Sequence, residues 1–253
     1  MGRDTIITIT AYKRPYYFAK VVKSIEAADR HRDYRVLLSI DGGKPAEQAV
    51  MQKIAEESEL RFTIFSHSEN LGCAGNTGFI LKEGFNDADR VIHLEEDIIV
   101  SKGFFNYMEY YLDLHEDNPS MFSISSFSHD KNPNLDLINH VKMIQRFRCV
   151  GWGMWKDRFE EIQEWFGITW KHDRPFTDAN VPEGEEFLRW VNKTDYGSWG
   201  WPMDMYHRKG RWSVAPLVSK SRHIGQLEGT FCKGNETVEP IWAGTEGAPE
   251  EKI

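Results

Sequence analysis

The sequence predicts an α/β protein with a mostly parallel central sheet flanked by helices. Two observations predict it. Apolar, largely β-branched runs alternate with segments of helical period over the first hundred residues. A polar or glycine-marked stretch follows most of those runs, as expected where parallel strands deliver their carboxyl ends to one edge of a sheet.

The elements follow in order. Thr5 to Thr10 (TIITIT) reads as a buried strand. Pro15 suits a first helical turn, after which Phe18, Val21, Val22 and Ile25 recur at helical spacing. Tyr34 to Ile40 is a second strand, stopped by Asp41-Gly42-Gly43. A helix over Pro45 to Glu57 and a strand over Arg61 to Phe65 come next. The glycine-punctuated stretch Asn70 to Gly78 leads into a helix through Phe85. Arg90 to Leu94 is a fourth strand, ending in Glu95-Glu96-Asp97. Beyond it we expect a helix near Phe104 to His115 and a strand over Met121 to Ser125. Residues 127–143 are polar and marked by Asn and Pro, and read as a mobile loop. Gly151-Trp152-Gly153-Met154-Trp155 precedes a helix through Trp165. Helices near Glu183 to Val191 and from Pro202, and a strand over Trp212 to Val218, complete the list. We expect one unit over 1–240, with a donor half to about 125, an acceptor half from 126, and a flexible tail over 241–253.

Composition narrows the class. The 253 residues carry a net charge of −8, which argues against a broad basic face for nucleic acid or an anionic membrane. Mean hydropathy is −0.54, and no apolar run is long enough to span a bilayer. The N-terminus shows no apolar signal core, and three cysteines without metal-knuckle spacing fit reduced thiols, so the expectation is a cytoplasmic protein. All nine tryptophans lie after residue 150. That split fits either a bulky small core or a surface specialised in the later half.

Three clusters carry chemistry. Glu95-Glu96-Asp97 places adjacent carboxylates at a strand end, where they repel unless solvated or neutralised. A hard divalent cation, Mn²⁺ or Mg²⁺, would neutralise them and take phosphate oxygens as further ligands; a solvated acidic turn is the other reading. Asn70 to Gly78 could present backbone N–H groups to a phosphate at a helix start, or could be a plain turn. It matches neither a Walker loop nor the dinucleotide fingerprint. Asp41-Gly42-Gly43 is a tight turn or a carboxylate for a nucleobase or ribose.

Together, Thr8 to Pro15, Ser39 to Gly42, Asn70-Leu71-Gly72 with Asn76, and Leu94 to Ile98 resemble the nucleotide-diphospho-sugar glycosyltransferases of the GT-A fold. Glu95-Glu96-Asp97 stands where that fold has its acidic metal motif. Gly103-Phe104-Phe105 fills the slot of the Phe-Phe helix in the N-acetylglucosaminyltransferase I family and its bacterial relatives. The resemblance runs from about residue 4 to 230 and is most specific in the donor half.

Carried over, it implies a donor pocket of Thr10, Ala11, Tyr12, Arg14, Asp41, Asn70, Gly72, Asn76, Glu95 and Glu96. Asp97 would be the metal ligand, with His223, in a late segment Ser221 to Gly225, reaching phosphate or metal; an ordinary surface histidine is the alternative. Trp152, Trp155, Trp199 and Trp201 would flank the acceptor, stacking indole faces on sugar rings. The resemblance further implies a hexosyl or N-acetylhexosaminyl transferase, a UDP-sugar donor, a carbohydrate or glycoconjugate acceptor, and inversion by single displacement. Asp204 is the candidate general base, with Asp195, Glu185 and Glu186 as fallbacks and helix capping as its bland role. A sugar nucleotidylyltransferase and a non-catalytic sugar- or nucleotide-binding module are the competing functions. The former is disfavoured because Ala11 to Pro15 lacks glycines after the first strand.

Overall fold

A computed structural model describes residues 4–130, 133–163 and 210–225. Its centre is an eight-stranded sheet in the order β3-β2-β1-β4-β8-β6-β9-β7. The strands are β1 (Thr5–Ala11), β2 (Arg35–Ile40), β3 (Arg61–Ser66), β4 (Arg90–Glu95), β6 (Met121–Ser125), β7 (Val141–Ile144), β8 (Trp152–Trp155) and β9 (Trp212–Pro216). A separate two-stranded ribbon pairs β5 (Ile98–Val100) with β10 (Ser221–His223).

The first four strands of the sheet are parallel, as the alternating runs predict. Their helices are α1 (Pro15–Glu26), α2 (Pro45–Glu56) and α3 (Gly72–Asp87). α1 starts on Pro15, and its buried face is Phe18, Val21, Val22 and Ile25, one stripe at helical spacing. β1 and β2 are buried along almost their whole length because helices cover both faces of the sheet. α4 (Phe104–Leu114) lays Phe104, Phe105, Met108 and Leu112 into the same core.

The later half turns the sheet from parallel to mixed. β8 runs antiparallel between β4 and β6, β9 is parallel to β6, and β7 closes the edge antiparallel to β9. Two expectations change here. The stretch 127–143, read as a loop, contains a 3-10 turn (Leu135–Leu137) and leads into β7. An edge strand with one covered face keeps polar residues, and that polarity disguised it. Trp152 to Trp155, expected before a helix and resembling a Gly-Trp-Gly segment at the end of a strand, is itself a central strand, followed by the short α5 (Lys156–Glu160).

Register places the chemistry. Thr10 pairs with Glu95 and Ala11 with Ile40, so the carboxyl ends of β1, β2 and β4 finish at one edge. Asp41 and Glu95-Glu96-Asp97 therefore leave the same end of the sheet, on either side of β1. Among the described residues, no helix is long and apolar enough to cross a membrane.

Candidate active site

Arg14 organises the carboxylate cluster. It stands in the turn between β1 and α1, where the chain leaves the sheet edge opposite the end of β4. Its Nε donates to Glu96 Oε1 at 2.8 Å, and its Nη2 lies 2.7 Å from Asp97 Oδ2. Tyr17 lies beneath the guanidinium, 5.6 Å from ring centroid to Cζ. The third side of the cluster comes from β10. His223 Nε2 lies 3.1 Å from Asp97 Oδ2, and the Ile224 N–H donates to the Asp97 carbonyl at 2.9 Å.

Among the described residues, two buried atoms in this cluster have no partner: Asp97 Oδ1 accepts no hydrogen bond, and Arg14 Nη1 donates none. Such atoms are costly unless a ligand or an ordered water meets them. One lacks a cation or donor, and the other lacks an acceptor.

Electrostatics divides the three acids. Burial pushes the Glu95 carboxyl up to about 7, and the charges of Asp97 and Glu96 push the same way. Burial also lifts Glu96 to about 7, against the opposing pull of Arg14. Asp97 goes down: burial opposes this, but the His223 hydrogen bond and the charges of His223 and Arg14 outweigh it. His223 rises correspondingly, because its bond to Asp97 outweighs burial. Asp97 is thus the fixed anion of the cluster, while Glu95 and Glu96 take or release protons near neutrality.

The donor-side residues separate into rim and scaffold. Asp41 is buried, and its Oδ1 accepts from Leu71 N at 2.6 Å and Gly42 N at 2.9 Å, clamping the 70–72 turn against the end of β2. Asn70 Oδ1 accepts from Gly72 N at 2.7 Å, and Gly72 adopts φ +73°, a left-handed conformation that favours glycine. Tyr12 is half-buried at the rim, and Thr10 and Ala11 are buried in β1.

Asn76 departs from expectation. It is buried, takes the Ser39 hydroxyl on Oδ1 at 2.5 Å, and donates Nδ2 to Ser39 O at 3.2 Å. It ties α3 to β2, a structural role beside the pocket role expected of it.

Trp152 and Trp155 require a correction. Their side chains are 0% and 2% exposed, so neither offers a face to a sugar. β8 is a central strand, and its residues point alternately into the two covered faces. Trp152 packs on His93 and Phe147, and Trp155 donates Nε1–H to Leu112 O at 3.1 Å. Trp155 also pairs with Arg90, at the opposite end of β4 from Glu95. A separate cavity of about 420 Å³, lined by Asp89, Trp155, Lys156 and Arg158 among others, lies at that far end. Trp199, Trp201, Asp204, Asp195, Glu185, Glu186, the helices expected over 183–191 and from Pro202, and the tail from 241 lie outside the described residues.

Sequence reasoning named the 221–225 segment but missed why it ends in glycine. A Cβ on Gly225 would overlap Asp97 Oδ2 and come within 2.7 Å of Arg14 Nη1. The residue gives the backbone room to lie directly on the Arg14–Asp97 pair. Only the proximity of the two segments in space reveals this.

Comparison with known families assigns the chain. The family model described as Glycosyl transferase family 2 matches residues 6–168. The chain belongs to this family. A comparison with curated proteins finds no significant match. Among solved structures, GalNAc-T7 with UDP, GalNAc and Mn²⁺ is similar at TM-score 0.55 and 8% identity, over 87% of this chain and 44% of that one. The mannosyltransferase PcManGT from Pyrobaculum calidifontis, in complex with GDP-Man and Mn²⁺, aligns at 12% identity and TM-score 0.47, over 64% of this chain and 49% of that one. S. aureus TarS 1-349 aligns at 12% identity and TM-score 0.48, over 62% and 48%. At these identities the likeness is one of fold, the GT-A glycosyltransferase fold. This family 2 chain spans about half the length of the solved structures it matches.

Proposed function

We propose that this family 2 chain transfers a sugar from a nucleoside-diphosphate donor to a hydroxyl of a carbohydrate acceptor. One observation carries the reading. The two unpartnered buried atoms, Asp97 Oδ1 and Arg14 Nη1, belong to one ion pair at the carboxyl edge of β1 and β4. A divalent cation paired with a diphosphate satisfies both, the cation at the carboxylate oxygen and an anionic oxygen at the guanidinium.

The residues fit such a cation. Among the described residues, no group of three His, Cys, Asp or Glu side chains is arranged to hold one. Mg²⁺ and Mn²⁺ commonly need only one or two protein carboxylates when substrate phosphates and water complete the shell. Asp97 would hold it, joined by His223 as a neutral imidazole once Nε2 gives up its bond to Asp97 Oδ2, and bound there it would supply charge stabilisation to a departing diphosphate.

The chain's own groups would do the remaining work. Arg14 donates to the diphosphate, and Tyr12 and Asp41 bound the nucleoside end. The acceptor hydroxyl attacks the anomeric carbon as the bond to the diphosphate oxygen breaks, and a carboxylate takes the hydroxyl proton. Asp204 is our candidate for that base, and the single displacement inverts the anomeric centre. With Trp152 and Trp155 in the core, the carbohydrate-acceptor reading rests on Trp199 and Trp201. A UDP-sugar donor of hexosyl or N-acetylhexosaminyl type is the preferred substrate. The neighbouring structures with UDP- or GDP-linked ligands support a nucleotide-sugar donor.

The test is release of nucleoside diphosphate from a panel of UDP- and GDP-sugars with Mn²⁺ and mixed oligosaccharides. Turnover by the native chain, reduced at least about 100-fold in Asp97→Asn, is expected, since electrostatic groups of this kind contribute roughly 2.7–4 kcal/mol. Equal turnover in Asp97→Asn would place the chemistry elsewhere.

A further inference from the structure

We propose that Arg14 is a displaceable internal counter-ion of the cation seat, so that the protein takes up its divalent cation together with a diphosphate and only weakly before it. The inference rests on the donor-site reading above and adds an order of binding to it.

Arg14 is where an incoming cation would have to act. Its Nη2 sits 2.7 Å from the oxygen of Asp97 that also faces His223, and its Nε is committed to Glu96 at 2.8 Å. The guanidinium is enclosed rather than solvated. Its side chain is 18% exposed, and its partners Glu96 and Asp97 are 9% and 2% exposed. In such surroundings the charge of Arg14 is poorly screened, and a divalent ion at Asp97 Oδ1 meets a fixed positive charge across one carboxylate. Moving aside, however, breaks both of Arg14's ion pairs.

The free atom resolves the conflict. Nη1 is already buried and, among the described residues, without an acceptor. A diphosphate oxygen there gives the guanidinium a new anion. The metal can then take over the neutralisation of Asp97, with no net positive charge stranded in the cluster. Cation alone is opposed by Arg14, diphosphate alone is opposed by the three carboxylates, and the two together satisfy every group. Coupling between two ligands that each remove the other's penalty is typically about 5- to 150-fold.

The experiment uses the whole chain and measures Mn²⁺ binding by electron paramagnetic resonance, with and without UDP or GDP, and nucleotide binding by calorimetry with and without Mn²⁺. The native protein should bind Mn²⁺ at least about tenfold more tightly when its nucleotide is present. In Arg14→Met, Mn²⁺ alone should bind about tenfold more tightly than to the native chain, and the coupling should fall towards unity. Arg14→Lys keeps the charge and should retain weak binding of the lone metal. If Arg14→Met does not fold, Arg14→Gln, which removes the charge but keeps a donor, takes its place with the same expected gain in Mn²⁺ affinity. Native Mn²⁺ affinity that is unchanged by nucleotide overturns the inference, as does a folded Arg14→Met with unaltered metal affinity. No binding of either nucleotide under any condition instead overturns the donor-site reading itself.

Discussion

His223 and Asp97, 126 residues apart in the chain, meet with Nε2 3.1 Å from Oδ2. The contact exists because β10 pairs antiparallel with β5, setting His223 opposite Ile98. Two hydroxyls hold the base of that ribbon, where Ser126 and Ser221 oxygens lie 2.6 Å apart. A short strand from the end of the chain's described part thus completes a cluster that begins in the first turn of the molecule. The positions of Arg14, Asp97, His223 and Gly225 are consequently interdependent.

Gly225 tests that interdependence. In Gly225→Ala the methyl group overlaps Asp97 Oδ2 and presses on Arg14 Nη1. Either the segment lifts or the ion pair opens, and overpacking of this kind costs about 1–3 kcal/mol. We expect a Tm lower by a few degrees and nucleotide–Mn²⁺ binding weakened at least about tenfold. Calorimetry showing native affinity in this variant contradicts the close packing of 225 on the site.

Asn76 separates scaffold from pocket. Asn76→Ala removes the acceptor of the Ser39 hydroxyl, which keeps His67 Nε2 at 2.9 Å, and one donor to the Ser39 carbonyl, at a cost of about 1–3 kcal/mol for the two bonds. The expected result is a lowered Tm with nucleotide affinity little changed once the protein is folded. A selective loss of affinity at unchanged Tm would return Asn76 to the pocket lining.

The tryptophans of β8 behave as core in the same sense. Trp152→Ala should destabilise by about 3–5 kcal/mol, as removal of a buried indole does. Denaturant unfolding measures it. A near-neutral change in stability, accompanied by a specific loss of acceptor affinity, contradicts the buried position.

His93 gives a pH dependence with a defined sign. It is wholly buried beside Thr8 and Trp152, and burial holds its imidazole down to about 3. The unfolded chain takes up a proton near pH 6.5 that the folded chain refuses. The stability His93 preserves above that pH is therefore lost as pH falls towards 3, by up to about 1.4 kcal/mol per unit. Glu95 and Glu96 act oppositely. Raised to about 7, they contribute stability that is present below about 4.5 and lost as pH rises through 7. The difference between the native and His93→Gln stability profiles isolates the histidine. It should grow steadily from pH 6.5 down to 4.5, and a flat difference means that His93 is not held neutral.

Much of this architecture was legible in the residues. The β-branched runs of β1 and β2 and the Phe18–Ile25 stripe of α1 carry periodicities that only one element type satisfies, and the parallel pairing of β1 to β4 follows from their order. The acidic cluster was legible for the same reason, since three adjacent carboxylates after an apolar strand have few stable surroundings. β7 was not, because its pattern comes from one neighbour, β9, far away in the chain. The role of Arg14 was legible only as membership of a pocket. That it neutralises Glu96 and Asp97 depends on β1 lying beside β4. Trp152 and Trp155 misled for a general reason: an indole in a central strand and one stacking on a sugar look alike without a topology.

The central claim is that the Arg14–Asp97 cluster receives a diphosphate with a divalent cation. Thermal denaturation with UDP, GDP, CMP and dTDP, each with and without Mn²⁺, tests it most directly. A ligand at about 100 times its Kd adds roughly 2.7 kcal/mol, which for a chain of this size raises Tm by about 5–10 °C. Such a rise is expected with a nucleoside diphosphate, dependent on Mn²⁺ and absent in Asp97→Asn. No rise with any nucleotide, or an equal rise in Asp97→Asn, contradicts it.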